Sequence, residues 1–109
     1  MVKDIVPELL ETIEAEYKEK LKGSKKASEL RKKADNGKAS YADAHMFAVE
    51  AASILSASFS NNLDRGVLPD GVLYYNIASR LIPHMLKIAY EEICEYTAKV
   101  QTGINKKWE

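Results

Sequence analysis

The side chains that could serve as a nucleophile and its base are Cys94, His45 and His84. A thiol nucleophile needs a histidine within hydrogen-bond reach, although the two residues can be distant in sequence. Here the three residues fall on different predicted helices or turns, and no pattern around them indicates that they meet. Cys94 follows Ile93 on a predicted long helix, so we interpret it as a small, inert, partly buried side chain. The sequence therefore predicts no catalytic nucleophile.

No sequence pattern indicates a metal or cofactor site either. Helix bundles that bind two metals use Glu-x-x-His pairs, because positions i and i+3 direct both ligands at one metal. Glu92 and Glu95 have this spacing, but no histidine follows a glutamate at that interval, so we interpret them as a solvated acidic face. A single cysteine allows neither an internal disulfide nor a Cys-based zinc site, and the glycines form no phosphate-binding pattern. We expect no cofactor, no metal and no enzymatic activity.

Charge and hydropathy narrow the classes of partner. The 16 basic residues equal the 16 acidic ones, whereas nucleic-acid-binding domains carry a basic excess. A basic stretch from Lys20 to Lys33 includes Glu29, so it is interpreted as a solvated helix face rather than a phosphate-binding patch. The chain contains neither a signal-peptide pattern nor an apolar run of the ~20 residues that a membrane span needs. We therefore expect protein partners rather than a nucleic acid, a membrane or a small-molecule substrate.

Apolar residues four apart predict a first helix from Asp4 to Lys22, with Asp4 as its cap and Gly23 as its end. Ser24 can cap a short second helix that ends at Asn36-Gly37. The apolar stripe of this second helix is thin, which leaves two alternatives, a charged exposed connector and a packed helix. That stripe consists of Ala27, Leu30 and Ala34.

The third helix is predicted to begin after Ser40, which forms a capping-box pattern with Asp43, and to run to about Asn62. Its many alanines and serines favour close approach of a neighbouring helix, so we expect tight core packing rather than a ligand groove. A loop then includes a turn at Leu68-Pro69-Asp70-Gly71. The apolar runs beside this turn are too short to predict a strand.

A last helix is predicted from Tyr74 onward, with a length above 25 residues. Pro83 predicts a kink or a break near 81–83, and the stretch 105–109 is expected to fray. The sequence thus predicts an all-α fold, with three to four helices in a small bundle and a long, Pro-kinked C-terminal helix. Residues 1–109 are expected to form a single helical domain.

The predicted interaction surface lies along this last helix and the loop before it, because the helix carries more apolar positions than the other helices can cover. Tyr74, Tyr75 and Trp108 could stack on nucleic-acid bases, but no basic residues alternate with them, so we expect the tyrosines to close the edge of the core. The whole predicted surface comprises Leu68, Tyr74, Tyr75, Ile93, Tyr96, Val100, Ile104 and Trp108.

Several segments resemble a known family and keep its order along nearly the whole chain. The segments are 4–10 (DIVPELL), 40–50 (SYADA followed by FAVE), 68–78 (LPDG followed by YYNIA) and 100–102 (VQT). They are similar to the N-terminal helical region of prophage-encoded minor head proteins, the Mu F-like head morphogenesis group. None of the segments has a chemical role of its own, and no functional residue is carried over from the family.

The resemblance implies a structural or assembly module of a phage or prophage head that contacts portal or capsid subunits. It places the protein in the bacterial cytoplasm during assembly, and in the virion afterwards. It also implies that residues 1–109 are the N-terminal part of a longer protein with a Cys- and His-rich segment, which this sequence does not contain. The alternative function is a free-standing helical adaptor or regulatory protein that forms a homodimer through its last helix.

Overall fold

The computed structural model describes residues 5–63 and 71–108, and the side chains of 5–63 and 76–108. These residues form four helices, and the described ranges contain no strand. The all-α class and the long C-terminal helix predicted from sequence are confirmed. The predicted turn at 68–71 lies outside the described residues apart from Gly71, with which α4 begins. The helices are α1 (Val6–Gly23), α2 (Lys25–Asp35), α3 (Tyr41–Leu63) and α4 (Gly71–Lys107).

The four helices form a three-helix bundle in which α1 and α2 together make one broken rod. The Ser58 hydroxyl of α3 donates to the Ile13 carbonyl of α1 at 3.4 Å, whereas Asp43 at the start of α3 pairs with Lys33 at the end of α2. Thus α3 runs antiparallel to the rod. The Tyr96 hydroxyl of α4 donates to the Leu30 carbonyl at 2.8 Å, so the C-terminal half of α4 lies beside α2. The bundle is elongated, 61 × 22 × 18 Å.

The rod is broken at Ser24, where the chain leaves helical geometry (φ −72°, ψ 119°) and begins again. The Ser24 hydroxyl accepts a hydrogen bond from the Ala27 N–H at 3.2 Å, which confirms the predicted cap. Ala27, Leu30 and Ala34 are all buried, so the second helix is packed rather than an exposed connector. At the start of α1 the capping position is Ile5, which supplies no side-chain acceptor. The predicted Asp4 cap lies outside the described residues.

The start of α3 is a capping box that uses aspartate. The Ser40 N–H donates to Asp43 Oδ2 at 2.9 Å, and the Asp43 N–H donates to the Ser40 hydroxyl at 3.3 Å. The Lys33 ammonium lies 3.0 Å from the other carboxylate oxygen of Asp43. This confirms the predicted box, and it also ties the end of α2 to the start of α3.

The turn between α2 and α3 requires glycine. Gly37 has φ +70°, a conformation that costs a residue with a side chain about 1–2 kcal/mol. Gly103 of α4 packs on this turn, because a Cβ atom at Gly103 would lie 3.4 Å from the Gly37 Cα. The glycine that weakens the end of α4 as a helix therefore allows α4 to approach the turn closely.

The last helix continues through Pro83 and reaches Lys107. The predicted break near 81–83 is therefore wrong, and residues 105–107 of the stretch predicted to fray are helical. Pro83 cannot donate to the carbonyl of Ser79, but both residues are exposed, so water can satisfy that carbonyl. Leu81 and Met85 are buried on either side of the proline, and their packing holds the helix in one piece.

The centre of the core is an aromatic stack. The rings of Phe47 and Tyr96 are nearly parallel, with centroids 4.3 Å apart, and the Arg31 guanidinium lies 5.4 Å from the Phe47 centroid. Arg31 also pairs with Glu92 at 3.4 Å. The stack joins α3 to α4. Arg31, which belongs to α2, packs on the Phe47 ring, so three helices meet at this layer of the core.

The two buried tyrosines differ in how their hydroxyls are satisfied. Tyr17 is fully buried, and its hydroxyl has no hydrogen-bond partner among the described residues. Burial, with a smaller contribution from Glu92, raises the pKa of Tyr17 to about 12, so the hydroxyl stays protonated. The Tyr96 hydroxyl, in contrast, is paired with the Leu30 carbonyl.

We expect Tyr17→Phe and Tyr96→Phe to change stability in opposite directions. Removing the unpaired hydroxyl of Tyr17 should raise the free energy of unfolding by about 1 kcal/mol, because a buried, unsatisfied polar group disappears. Removing the paired hydroxyl of Tyr96 should lower it by about 1 kcal/mol. Urea unfolding followed by circular dichroism measures both. A loss for Tyr17→Phe equal to that for Tyr96→Phe would contradict the difference in pairing.

Two carboxylates link stability to pH. The hydroxyl of Ser58 and the amide of Asn62 donate to Glu16 Oε2 at 2.6 and 2.7 Å, and these bonds hold the pKa of Glu16 below its usual value. The backbone N–H of Ser40, followed by Lys33, likewise lowers the pKa of Asp43. Because both pKa values are lower in the folded chain, the stabilisation is present above the unfolded-state pKa values, near 4, and is lost as pH falls through the folded-state values.

We therefore expect the stability gap between the wild-type protein and Glu16→Gln to be largest near pH 7 and to shrink below about pH 4. Ser58→Ala removes one of the donors and should reduce the same pH-dependent component. Urea unfolding at pH 7 and pH 3 measures the gap. A gap of equal size at both pH values would show that ionised Glu16 adds no stability.

Candidate protein-binding face

The residues considered for chemistry do not form a site. Cys94 is exposed rather than partly buried as predicted, and it lies one helical turn after Tyr90. His45 is exposed on α3, whereas His84 is exposed on α4 beside α1. Within residues 5–63 and 76–108, no group of three or more histidine, cysteine, aspartate or glutamate side chains could hold a metal ion.

The predicted interaction surface is only partly at the surface. Tyr96 and Val100, with 4% and 1% of their surface exposed, belong to the core, so the prediction that they contact a partner is wrong. The physical reason is that the core extends this far along α4. The Tyr96 ring stacks on Phe47 of α3 and its hydroxyl reaches the Leu30 carbonyl of α2, and Val100 lies one turn further in the same core. Ile93 and Ile104 are partly buried and pack against the core, and Trp108 is 86% exposed. Leu68 lies outside the described residues, and Tyr74 and Tyr75 fall in α4 where side chains are not described.

A hollow with an almost entirely apolar lining lies elsewhere, on the side of the bundle where α3 and α4 meet and face away from α1 and α2. Its volume is about 300 Å³. Leu86 is 65% exposed at its rim, and Tyr90, one helical turn further, is 68% exposed. The hollow is lined by Ala52, Leu55, Ser56, Phe59, Ile82, Met85, Leu86 and Ala89.

Exposed apolar side chains extend this hollow toward the start of α3. Val49 precedes Ala52 by three residues and Met46 precedes Val49 by three, so each is a neighbour of the next on a strip that winds about 120° around α3, and they are 50% and 41% exposed. We call the hollow together with Met46, Val49 and Tyr90 the outer α3–α4 face. It extends over about four turns of α3 and about two and a half turns of α4.

The outer α3–α4 face carries no charge. Residues 51–63 of α3 include no Asp, Glu, Lys or Arg, in a chain of which 29% is charged. The exposed side of this stretch is made of small residues such as Ser53, Ser56 and Ala57, which let another helix approach closely. A contiguous apolar patch depleted of charge is typical of a protein–protein contact.

A second hollow, of about 270 Å³, lies between α2 and α4 but has a structural explanation. Arg31 and Glu92 line it and pair with each other, and Lys99 beside them pairs with Asp35 at 3.1 Å. Its charges are thus used in joining the two helices. The outer α3–α4 face remains the best candidate for a functional site.

The sequence interpretation missed this face because it placed the interaction surface on other residues of the last helix and on the loop before it, and not at Leu86. Two signals could have revealed it. Adjacent apolar pairs at 81–82 and 85–86 make the stripe of α4 wider than one buried side needs. The absence of charge from 51 to 63 likewise leaves this part of α3 without the charged side chains that a helix exposed to water normally carries.

Comparison with known proteins assigns no relative, because no family model, curated protein or solved structure matches the chain. Over the part of the chain that the structure describes, none of the helices combines the length and the apolar character required to cross a membrane. The function of the outer α3–α4 face is therefore argued from its geometry and composition.

Proposed function

We propose that this protein is a non-enzymatic assembly module that works by binding protein through its outer α3–α4 face. The observation that carries the proposal is the exposure of Leu86 and Tyr90 beside an uncharged apolar hollow. Such side chains are stabilised when a partner removes them from water, by about 25 cal/mol for each Å² of apolar surface buried. The rigid bundle behind them holds the face in place before binding, so little conformational freedom is lost.

The biological setting that we propose is the head of a bacteriophage or prophage. Its support is the ordered resemblance of the segments at 4–10, 40–50 and 68–78 to the helical region of minor head proteins. The module acts in the bacterial cytoplasm during head assembly, and its protein partners are portal or capsid subunits. Trp108, exposed at the end of α4, is a further apolar side chain through which the module can contact them.

A complementation assay tests the proposal. A prophage that lacks its copy of the gene is supplied with the wild-type gene, with Leu86→Lys, or with Thr12→Lys. Leu86→Lys places a charge in the outer α3–α4 face, whereas Thr12→Lys adds the same charge on the exposed surface of α1. We expect filled heads, counted by electron microscopy, with the wild type and Thr12→Lys but not with Leu86→Lys.

The assay has an internal check on folding. Leu86 is mostly exposed, so lysine at this position should leave the bundle intact, and circular dichroism should give equal helix content for both variants. Normal head counts with Leu86→Lys, or with the gene deleted, would refute the proposed assembly role.

A further inference from the structure

We propose that the end of the bundle where α2 and α4 finish binds single-stranded nucleic acid, with lysines on its phosphates and two exposed aromatic rings on its bases. We call this surface the basic end. It is separate from the outer α3–α4 face, so its occupation does not depend on the assembly role. Its contact residues are Lys32, Lys38, Lys106, Lys107, Tyr41 and Trp108.

Charge is unevenly distributed over the fold. Residues 30–44 and 96–108 include seven basic and two acidic residues, whereas the rest of the sequence has nine basic and fourteen acidic ones. The two segments meet in space, because a Cβ atom at Gly103 would lie 3.4 Å from the Gly37 Cα. A net charge of zero averages over this separation. The local excess of positive charge indicates a polyanionic partner.

The acidic residues of these two segments are already paired. Asp43 lies 3.0 Å from the Lys33 ammonium, and Asp35 lies 3.1 Å from the Lys99 ammonium. Four other lysines are exposed, and none of their ammonium groups has a carboxylate partner among the described residues. These are Lys32, Lys38, Lys106 and Lys107. The basic end therefore presents four uncompensated positive charges, which is the arrangement that phosphate contacts require.

A groove runs beside these charges. Its volume is about 380 Å³, and it lies between the end of α2 and the last turns of α4, where Gly37 and Gly103 leave it without bulky side chains. Lys99 and Lys106 are seven residues and so two turns apart, and both line it from α4. Glu95 lines the opposite end of the groove, so we place the phosphates at the Lys106 end.

Two exposed aromatic rings accompany the lysines. Tyr41 is 56% exposed, and its hydroxyl donates to the Gln101 side chain of α4. Trp108 is 86% exposed just past the end of α4, about two turns after Gln101. Proteins that bind single strands of any sequence stack the bases on such rings. A duplex, whose bases are already stacked on one another, offers mainly its phosphates.

The composition of the basic end favours a nucleic acid over a protein or a membrane. Protein contacts are depleted of lysine and centred on apolar side chains. Within residues 30–44 and 96–108, no leucine, isoleucine, valine or methionine is exposed. A membrane surface requires an apolar helix side that inserts between lipids, but the apolar side of α2 is buried in the core. Lysines beside two rings match the phosphates and bases of a single strand.

Fluorescence anisotropy of a labelled oligothymidylate of about 16 nucleotides tests the proposal on the whole chain. We expect a Kd of about 1–100 μM at physiological salt, and a slope of log K against log salt concentration of about −3, as four phosphate contacts predict. An oligouridylate should bind within about threefold, because neither stacking nor phosphate pairing uses the 2′-hydroxyl. A duplex of the same length should bind about tenfold more weakly, since it cannot stack on the rings.

Substitutions separate the lysines from the ring. Lys106→Gln combined with Lys107→Gln should weaken binding about tenfold and halve the salt slope. Trp108→Ala should weaken binding about tenfold and leave the slope unchanged. The matched control combines Lys18→Gln with Lys87→Gln, which removes two exposed lysines outside the basic end, and it should bind like the wild type. All these side chains are exposed, so circular dichroism should show equal helix content.

Four results would overturn the proposal. The first is no binding even at about 50 mM salt, where phosphate contacts are strongest. The second is an equal loss of binding in the lysine variant and its control. The third is a duplex or polyglutamate that binds as tightly as the single strand, because the rings would then contribute nothing. The fourth is binding to vesicles of anionic lipid with none to the oligonucleotide.

The nucleic-acid contact and the assembly role fail separately. Leu86→Lys lies outside the basic end and should bind the oligonucleotide like the wild type. Loss of filled heads with Leu86→Lys, together with a wild-type protein that binds no oligonucleotide, would overturn the basic end and leave the assembly role standing. Oligonucleotide binding together with normal head counts for Leu86→Lys would do the reverse.

Discussion

Replacing Phe47 by alanine is expected to lower the free energy of unfolding by about 3–5 kcal/mol. Phe47 is 1% exposed, and its ring fills the layer where it stacks on Tyr96 and contacts Arg31. Alanine would remove the stack and leave a cavity bounded by α2, α3 and α4. Small domains are stabilised by only about 5–15 kcal/mol, so this change should remove a large fraction of the total.

Phe59→Ala is the matched control for this change. Phe59 is on the same helix but is only partly buried at the hollow of the outer α3–α4 face. Because less of its ring is removed from water and less cavity is left, we expect a loss less than half as large. Urea unfolding compares the two variants, and equal losses would mean that the aromatic stack is not the centre of the core.

A negative charge at Val100 should also destabilise the protein strongly. Val100 is 1% exposed, and aspartate there would be buried without a counter-charge prepared for it. We expect Val100→Asp to cost at least about 3 kcal/mol. Trp108→Asp introduces the same charge two turns later on an 86% exposed residue, and its effect on stability should stay within about 0.5 kcal/mol.

Thermal and urea unfolding of these two variants show whether the end of α4 is packed in the core or lies at the surface. If Val100→Asp unfolded no more easily than Trp108→Asp, the end of α4 would not be packed against α2. The sequence interpretation, which placed both residues on an interaction surface, would then be restored.

Local rules were enough to predict how the helices begin. Ser24 and the pair Ser40 and Asp43 act as caps because a short side-chain oxygen satisfies free backbone N–H groups, and this depends on residues only three positions apart. The four-residue apolar spacing of α1 likewise predicted the burial of Ile13 and Tyr17. These features require no knowledge of the tertiary arrangement.

The errors concern where one helix lies against another. Val100 and Leu86 belong to the same apolar pattern on α4, yet the first is buried in the bundle and no helix in the described structure covers the second. Periodicity reports that a helix has an apolar side, but not how far a neighbour extends along it. The continuation of α4 through Pro83 has a similar origin, because packing at Leu81 and Met85 outweighs the local cost of proline.

The candidate site likewise depends on whether a neighbouring helix covers an apolar side of α3 and α4. Its signal in the sequence is the missing charge between 51 and 63, which predicts burial, and the structure places part of this stretch at the surface. A helix side that has the composition of a core while it remains exposed in the single chain is what an assembly contact requires.

Photo-crosslinking in cells that assemble heads tests the central claim most directly, with benzoylphenylalanine at position 86 and, in a parallel sample, at position 12. Both positions are exposed, so the probe fits either without disturbing the core. The account predicts a crosslinked adduct from position 86, containing a second copy, a portal subunit or a capsid subunit, and none from position 12. No adduct from position 86, or equal adducts from both positions, would contradict the assignment of the outer α3–α4 face as the contact.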